Sequence, residues 1–166
     1  MARWEPEQTV TLSVIDRLID PVPDSNSEPA PTRAQSIRQL KASLRRDLEW
    51  LLNTRRTPFP AGCEFSELEQ SLYNFGLPDI TSLSWDSSRD RLRLTRLIEQ
   101  AVATFEPRIS RLKVVPIESI SGARHVLRFQ IEGLLEMDPA PEHISFDTVL
   151  QLSSGEYQVK GEASAG

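Results

Sequence analysis

A single cysteine, Cys63, stands in a chain of 166 residues. One thiol makes neither an intramolecular disulfide nor a cysteine-built zinc site, so the chain reads as cytoplasmic and no metal is expected. Histidine is almost as scarce. His125 and His143 flank predicted strands beside turns, with no Cys, His or carboxylate neighbours at metal-ligand spacing. The seven glycines form no GxGxxG or GxxxxGK arrangement, so no phosphate-cradling loop is encoded. No run approaches the roughly 18 apolar residues of a membrane-spanning helix. The opening MARWEPEQTV carries acids and a proline where a secretory signal needs an apolar stretch. The expectation is a chain with no cofactor, no metal, no catalytic residue and no direct membrane insertion.

What is present suits one compact unit. The hydrophobic fraction is 39% and the charged fraction 26%, ordinary for a globular domain. At this length about 70% of the unfolded surface can be buried without staples. The net charge of −5 conceals alternating blocks. Residues 33–56 hold Arg33, Arg38, Lys41, Arg45, Arg46, Arg55 and Arg56 against only Asp47 and Glu49, whereas residues 57–88 hold five acids and no base. Residues 89–113 are basic again, and residues 114–166 acidic. Blocks of alternating sign favour docking between subunits through steering and register, and they also describe arginine-rich solvated helix faces.

Residues 10–20 form a short amphipathic stretch with Leu12, Ile15, Leu18 and Ile19 at helical spacing. It folds back on its own domain or docks on a partner. PVPDSNSEPAP follows, an extended linker, so residues 1–31 read as an arm. Thr32 and Gln35 form a capping box for a helix with Ile37, Leu40, Leu44, Leu48 and Leu51 on one face. Ser66 and Glu69 form a second box for a short helix carrying Leu68 and Leu72, stopped by Gly76 and Pro78. A third helix runs from near Ser88 to Phe105. The period then drops to two. Leu112 and Val114, then Leu127, Phe129 and Ile131, then Ile144, Phe146, Leu150 and Leu152, then Tyr157 and Val159 mark four strands. Helices followed by a hairpin-connected sheet mean an α+β fold, a single domain over residues 32–160 with the helices on one face of a mainly antiparallel sheet. Residues 161–166 are expected to be a disordered tail.

The residues also admit a hydrolase reading and a nucleic-acid reading. Glu64, Glu67, Glu69 and Asp79 offer carboxylate pairs for a lysozyme-like, peptidoglycan-cleaving hydrolase, which needs two acids roughly 5–10 Å apart. Glu69 is already used by the capping box, and with twenty-four acids in the chain some pair always qualifies. The helix arginines suit phosphates, yet the pI near 5.1 and the lack of a nucleic-acid motif oppose that reading.

Two spots ask for more than core packing: DLEWLLNTRR at residues 47–56 and FEPRI at residues 105–109. Pro107 forces Glu106 out of helical geometry. Glu106 and Arg108, two apart in extended chain, then lie on one side, ready to pair with each other as a brace or with a partner. SVIDRLID, RDLEWLLNTRR, ELEQSLYNFGLPD, IEQAVATFEPRI and FDTVLQLSSGEYQV, in that order across residues 12–160, resemble the TssE family of type VI secretion baseplate subunits, relatives of contractile-phage wedge proteins once labelled lysozyme-like. The resemblance implies a structural part assembled at the inner face of the inner membrane. Its implied partners are wedge subunits of the TssF, TssG and TssK types and sheath subunits of the TssB and TssC types, with a strand edge able to accept a sheath strand. Glu106, Pro107 and Arg108 carry the family's Glu-Pro-Arg signature. With Arg55, Arg56, Leu12, Ile15, Leu18 and Ile19 they are the expected partner-binding residues. The proline-rich linker departs from the family pattern.

Overall fold

The computed structural model describes residues 12–19, 32–59, 65–84, 87–117 and 126–161. The linker, Cys63, His125 and the tail beyond residue 161 lie outside them. Among the described residues three α-helices, α1 (Val14–Leu18), α2 (Arg33–Asn53) and α3 (Ser88–Phe105), precede four strands, β1 (Ile109–Ile117), β2 (Val126–Leu135), β3 (Glu142–Gln151) and β4 (Glu156–Lys160). The strands form one antiparallel sheet in the order β1-β2-β3-β4. This is the α+β arrangement expected.

Local signals explain the two long helices. Thr32 accepts from the Gln35 N–H while Gln35 accepts from the Thr32 N–H, so the box satisfies two otherwise orphaned donors at the start of α2. Ser87 caps α3 through the Asp90 N–H. Leu40, Leu44, Leu48, Leu51 and Leu52 of α2 and Leu94, Ile98, Ala101 and Val102 of α3 are buried against the inner sheet face. That face carries Phe129, Ile131, Ile144, Phe146, Leu150, Tyr157 and Val159. α3 packs over β1 and α2 over β4, so each helix covers one side of the sheet. Each fully buried leucine contributes about 1.5–3 kcal/mol.

Three details differ from the sequence expectation. The segment around Leu68 and Leu72 forms two 3-10 turns, Ser66–Gln70 and Leu72–Asn74, instead of an α-helix. The first turn has no side-chain cap, Ser71 caps the second, and Leu72 is 82% exposed, so too little apolar surface is buried to hold a longer helix. The third strand stops at Gln151, and Leu152 belongs to the turn after it. The first strand is bulged between Ser110 and Lys113, with Arg111 in the left-handed region at φ 49°.

After α2 the chain pairs with the segment that precedes α3. Leu77 N–H donates to Thr54 O at 2.8 Å, and Arg56 N–H donates to Leu77 O at 2.9 Å. Gly76 permits this approach. Its φ is +101°, and a β-carbon there would sit 2.2 Å from Thr54 O.

Candidate assembly interface

The helix-strand joint after α3 is built by the Glu106-Pro107-Arg108 tripeptide. Glu106 ends the helix at φ −124°, ψ 76°, its N–H donating to Val102 O at 2.8 Å. Pro107 holds the chain in the turn and is exposed. Arg108 then folds back on Glu106. Its backbone N–H donates to Glu106 Oε1 at 3.2 Å, Nε donates to the same oxygen at 2.6 Å, and Nη2 reaches Oε2. Glu106 is only 6% exposed, so its carboxylate needs this guanidinium. Arg108 O also accepts the Glu136 N–H at 2.8 Å, tying the joint to the end of β2.

The pair extends across the molecule. Arg108 Nη2 donates to Asp47 Oδ2 of α2 at 2.7 Å. Asp47 Oδ1 accepts from Arg46 Nε at 3.2 Å and Nη2 at 3.0 Å, and Arg46 Nη2 donates to Asp16 of α1 at 2.8 Å. Charges therefore alternate from Glu106 through Arg108, Asp47 and Arg46 to Asp16, joining α1, α2 and the joint after α3. Hydrogen bonding to Glu106, and less so to Asp47, raises the Arg108 pKa against the effect of partial burial. Asp16 and Asp47 raise that of Arg46. For Asp16, burial opposes the charged form, but hydrogen bonds from Ser13 and Arg46 outweigh it and hold the carboxyl below the usual aspartate range. The Arg46 guanidinium also lies over the exposed Trp50 ring, 5.8 Å from its centroid.

The arm docks with its polar side inward. Ser13 caps α1 and Asp16 holds Arg46, while Leu12 packs on the core. Ile15, Leu18 and Ile19, with Val14, face solvent and are between 54% and 76% exposed. The predicted stripe is thus divided, with Leu12 covered and the other three residues presented outward.

Arg55 and Arg56 are exposed and stand apart from the charge ladder. Arg55 lies at the β3–β4 turn, on the rim of a cavity of about 310 Å³ with Leu77, Thr81, Leu152 and Ser154. Arg56 lines a cavity of about 40 Å³ with Thr104 and Phe105.

Helix side chains guard the two sheet margins. On β1, Val114 N–H donates to Glu99 Oε1 of α3 at 2.9 Å. On β4, the Asn53 amide acts as a one-residue strand, its Nδ2 donating to Tyr157 O and its Oδ1 accepting Tyr157 N–H, both at 2.8 Å. Among the described residues one margin stays open: β4 pairs only with Asp147–Gln151, and no described strand lies beside Glu142–Phe146 of β3 on that side. Beside this gap α2 sets Arg38, Lys41, Ala42 and Arg45 around a cavity of about 260 Å³, floored by Ile144 and Phe146. Lys41 bridges to Glu142 at 2.7 Å.

Residues 38–140 match the family described as baseplate wedge protein gp25, more than half the chain. The chain belongs to that family. The matched span of this gp25-family chain runs from α2 through β2 and includes the Glu106–Arg108 joint and Asp47. It is narrower than the span of residues 12–160 over which the sequence resemblance runs, leaving α1, β3 and β4 outside. A solved chain from "The baseplate complex from the type VI secretion system" aligns with 69% of this chain and 96% of its own length, at 22% identity and a TM-score of 0.47. That likeness is too distant to specify the assembly in which this chain works. No curated protein matches it.

The structure brings Glu106, Pro107 and Arg108 to one joint and links it through Asp47 to the arm. It does not bring Arg55 to that joint. Asp16, Arg46 and Asp47 are the residues that sequence reasoning missed. Asp47 carried a signal, as one of two acids in a basic block. Of the carboxylates weighed for hydrolysis, Glu67 and Asp79 are exposed, and the side chains of Glu64 and Glu69 lie outside the described residues. His143 is exposed at the start of β3, and no group of His, Cys, Asp or Glu among the described residues could hold a metal ion. No described helix is long and apolar enough to cross a membrane.

Proposed function

We propose that this gp25-family chain is a structural subunit of a type VI secretion baseplate, working at the cytoplasmic face of the inner membrane and joining the wedge to the contractile sheath. Membership of the baseplate wedge family across residues 38–140 carries the reading. The five ordered motifs of the TssE family direct it towards secretion rather than phage.

In this reading the arm offers Ile15, Leu18 and Ile19 to a wedge subunit of the TssF, TssG or TssK type. The Glu106–Arg108 joint and its Asp47 partner supply oriented charge beside it, and Arg55 and Arg56 supply further cations. The open margin of β3 suits a strand from a sheath subunit of the TssB or TssC type. Strand alternation directs the backbone groups of His143 and Ser145 into that gap, where an added strand satisfies them. The subunit acts by holding partners in register, not by turning over a substrate.

The test is co-expression with candidate wedge and sheath subunits, comparing the unaltered chain with Ser145→Pro. Proline there removes a donor that faces the gap, not the β2–β3 ladder, so the sheet survives. Recovery of both partner classes by the unaltered chain, with only the sheath lost in Ser145→Pro, supports the proposal. Failure to recover either class from an assembling system overturns it.

A further inference from the structure

The outward face of α3 carries a stripe that neither the fold nor the proposed function uses. Arg89, Arg93 and Arg96 are all exposed, and around them stand Leu92, 54% exposed, and the neutral, exposed Gln100 and Ala103. The spacing of the arginines, i, i+4 and i+7, places them in one row about 10 Å long beside Leu92. Among the described residues none of the three has a hydrogen bond or ion pair. The helix has two acids of its own, and both are engaged with the body. Asp90 accepts the Ser84 N–H at 3.0 Å, and Glu99 accepts the Val114 N–H at 2.9 Å. The stripe therefore shows one sign of charge around one apolar side chain. Arginines four apart repel, which works against the helix that carries them. In a chain with a net charge of −5, this face nevertheless concentrates cations, as α2 does with Arg38, Lys41 and Arg45.

We propose that this stripe is a docking surface for an acidic amphipathic helix of a protein partner, with carboxylates at i, i+4 and i+7 and an apolar residue among them. Charge complementarity decides the occupant. A straight row on a helix is matched by a row at the same spacing on a second helix laid alongside, and the partner's apolar residue covers Leu92. Guanidinium forks pair with carboxylates in two-point contacts, which gives register as well as attraction. A nucleic acid fits less well, because the overall negative charge repels a long polyanion and no exposed aromatic side chain on α3 offers a stacking platform. A lipid surface fits less well, because Leu92 is the only large apolar side chain exposed on the helix. The inference goes beyond the baseplate reading and does not depend on it.

The test uses the full chain and a synthetic probe, a fluorescein-labelled, alanine-based helix with Glu at i, i+4 and i+7 and Leu at i+3. A control of the same composition distributes its glutamates around the helix. Fluorescence anisotropy should show saturable binding of the probe that weakens with salt, and weaker binding of the control. The double variant Arg93→Glu/Arg96→Glu should raise the Kd by about tenfold, since attraction becomes repulsion at two exposed pairs. Leu92→Ser should raise it by about threefold, for a half-exposed apolar contact. Thermal melts of the variants should stay close to the parent's, because these side chains are exposed and none belongs to the buried core. Equal binding of the control, no saturable binding, or a Kd unmoved by charge reversal would overturn the proposal. So would tighter, variant-sensitive binding of duplex DNA or phosphatidylglycerol vesicles at the same salt. Self-association abolished by the charge reversal would make a second copy the occupant, and it too would sink the partner-helix assignment.

Discussion

Arg108 is one side chain with two carboxylates to serve, and only one of them is deeply buried. Glu106 depends on it for two hydrogen bonds, beside a third from the Arg108 backbone N–H, while Asp47 keeps Arg46 as a second partner. Truncation of Arg108 therefore strands Glu106 more than Asp47. Arg108→Ala should cost about 2–3 kcal/mol, below the full cost of breaking a buried pair because Arg108 is 27% exposed. Urea titration checks this, and a loss under 0.5 kcal/mol would show the ladder to be decorative. Tyr157 provides the opposite case. It is 2% exposed, its hydroxyl has no partner among the described residues, and burial pushes its pKa upward. Tyr157→Phe removes an unsatisfied donor from the core and should raise stability by about 1 kcal/mol. A destabilised Tyr157→Phe variant would mean that the hydroxyl is satisfied after all.

Elements were legible where period and cap agreed. The Thr32–Gln35 box, the Ser88–Phe105 helix and the alternation Phe129, Ile131 and Ile144, Phe146 could all be read because local pattern and tertiary burial point the same way. They failed where burial was too small to enforce a pattern, as around Leu72, or where a side chain far along the chain decides the outcome. Asp16 meets Arg46 across thirty positions, and Asn53 meets Tyr157 across 104. No spacing rule reaches that far, so neither the inward polar side of α1 nor the sealed β4 edge was visible in the sequence. Both can be tested. Asn53→Ala should expose the Tyr157 backbone pair, lowering stability by about 1–2 kcal/mol and speeding amide exchange at Tyr157. α1 should respond to acid. The Asp16 pKa is lower in the folded state than in the unfolded one, so its contribution is complete above the ordinary aspartate value of about 4 and fades as pH falls through the lower folded value. Amide resonances of Val14–Leu18 should lose dispersion in that acid window before those of the sheet. Simultaneous loss would tie the arm to global unfolding instead.

At the scale of the whole molecule, the proposed contacts use surfaces that do not overlap. The arm presents Ile15, Leu18 and Ile19, the open margin of β3 presents Glu142–Phe146, and α3 presents its arginines. The exposed arm residues and the α3 arginines lie outside the sheet-helix core, and the β3 margin is a backbone edge whose Ile144 and Phe146 side chains stay within that core. Each contact should therefore be removable by a change that leaves those side chains in place. Among its described residues, the segment 1–31 holds a helix with no buried residue, one ion pair to the body and the partial packing of Leu12, and its removal should lower stability by about 1–2 kcal/mol. On the proposed function, that truncation abolishes recovery of wedge subunits and leaves sheath recovery through the β3 margin unchanged. Ser145→Pro does the reverse. Independent sites more than roughly 7–10 Å apart behave additively, so combining the two changes should lose both partner classes without further loss of stability. If either change alone abolishes both, the surfaces are coupled, and the charge ladder from Asp16 to Glu106 is the physical connection to break next. Arg46→Gln would then loosen the arm while leaving Arg108 paired with Glu106.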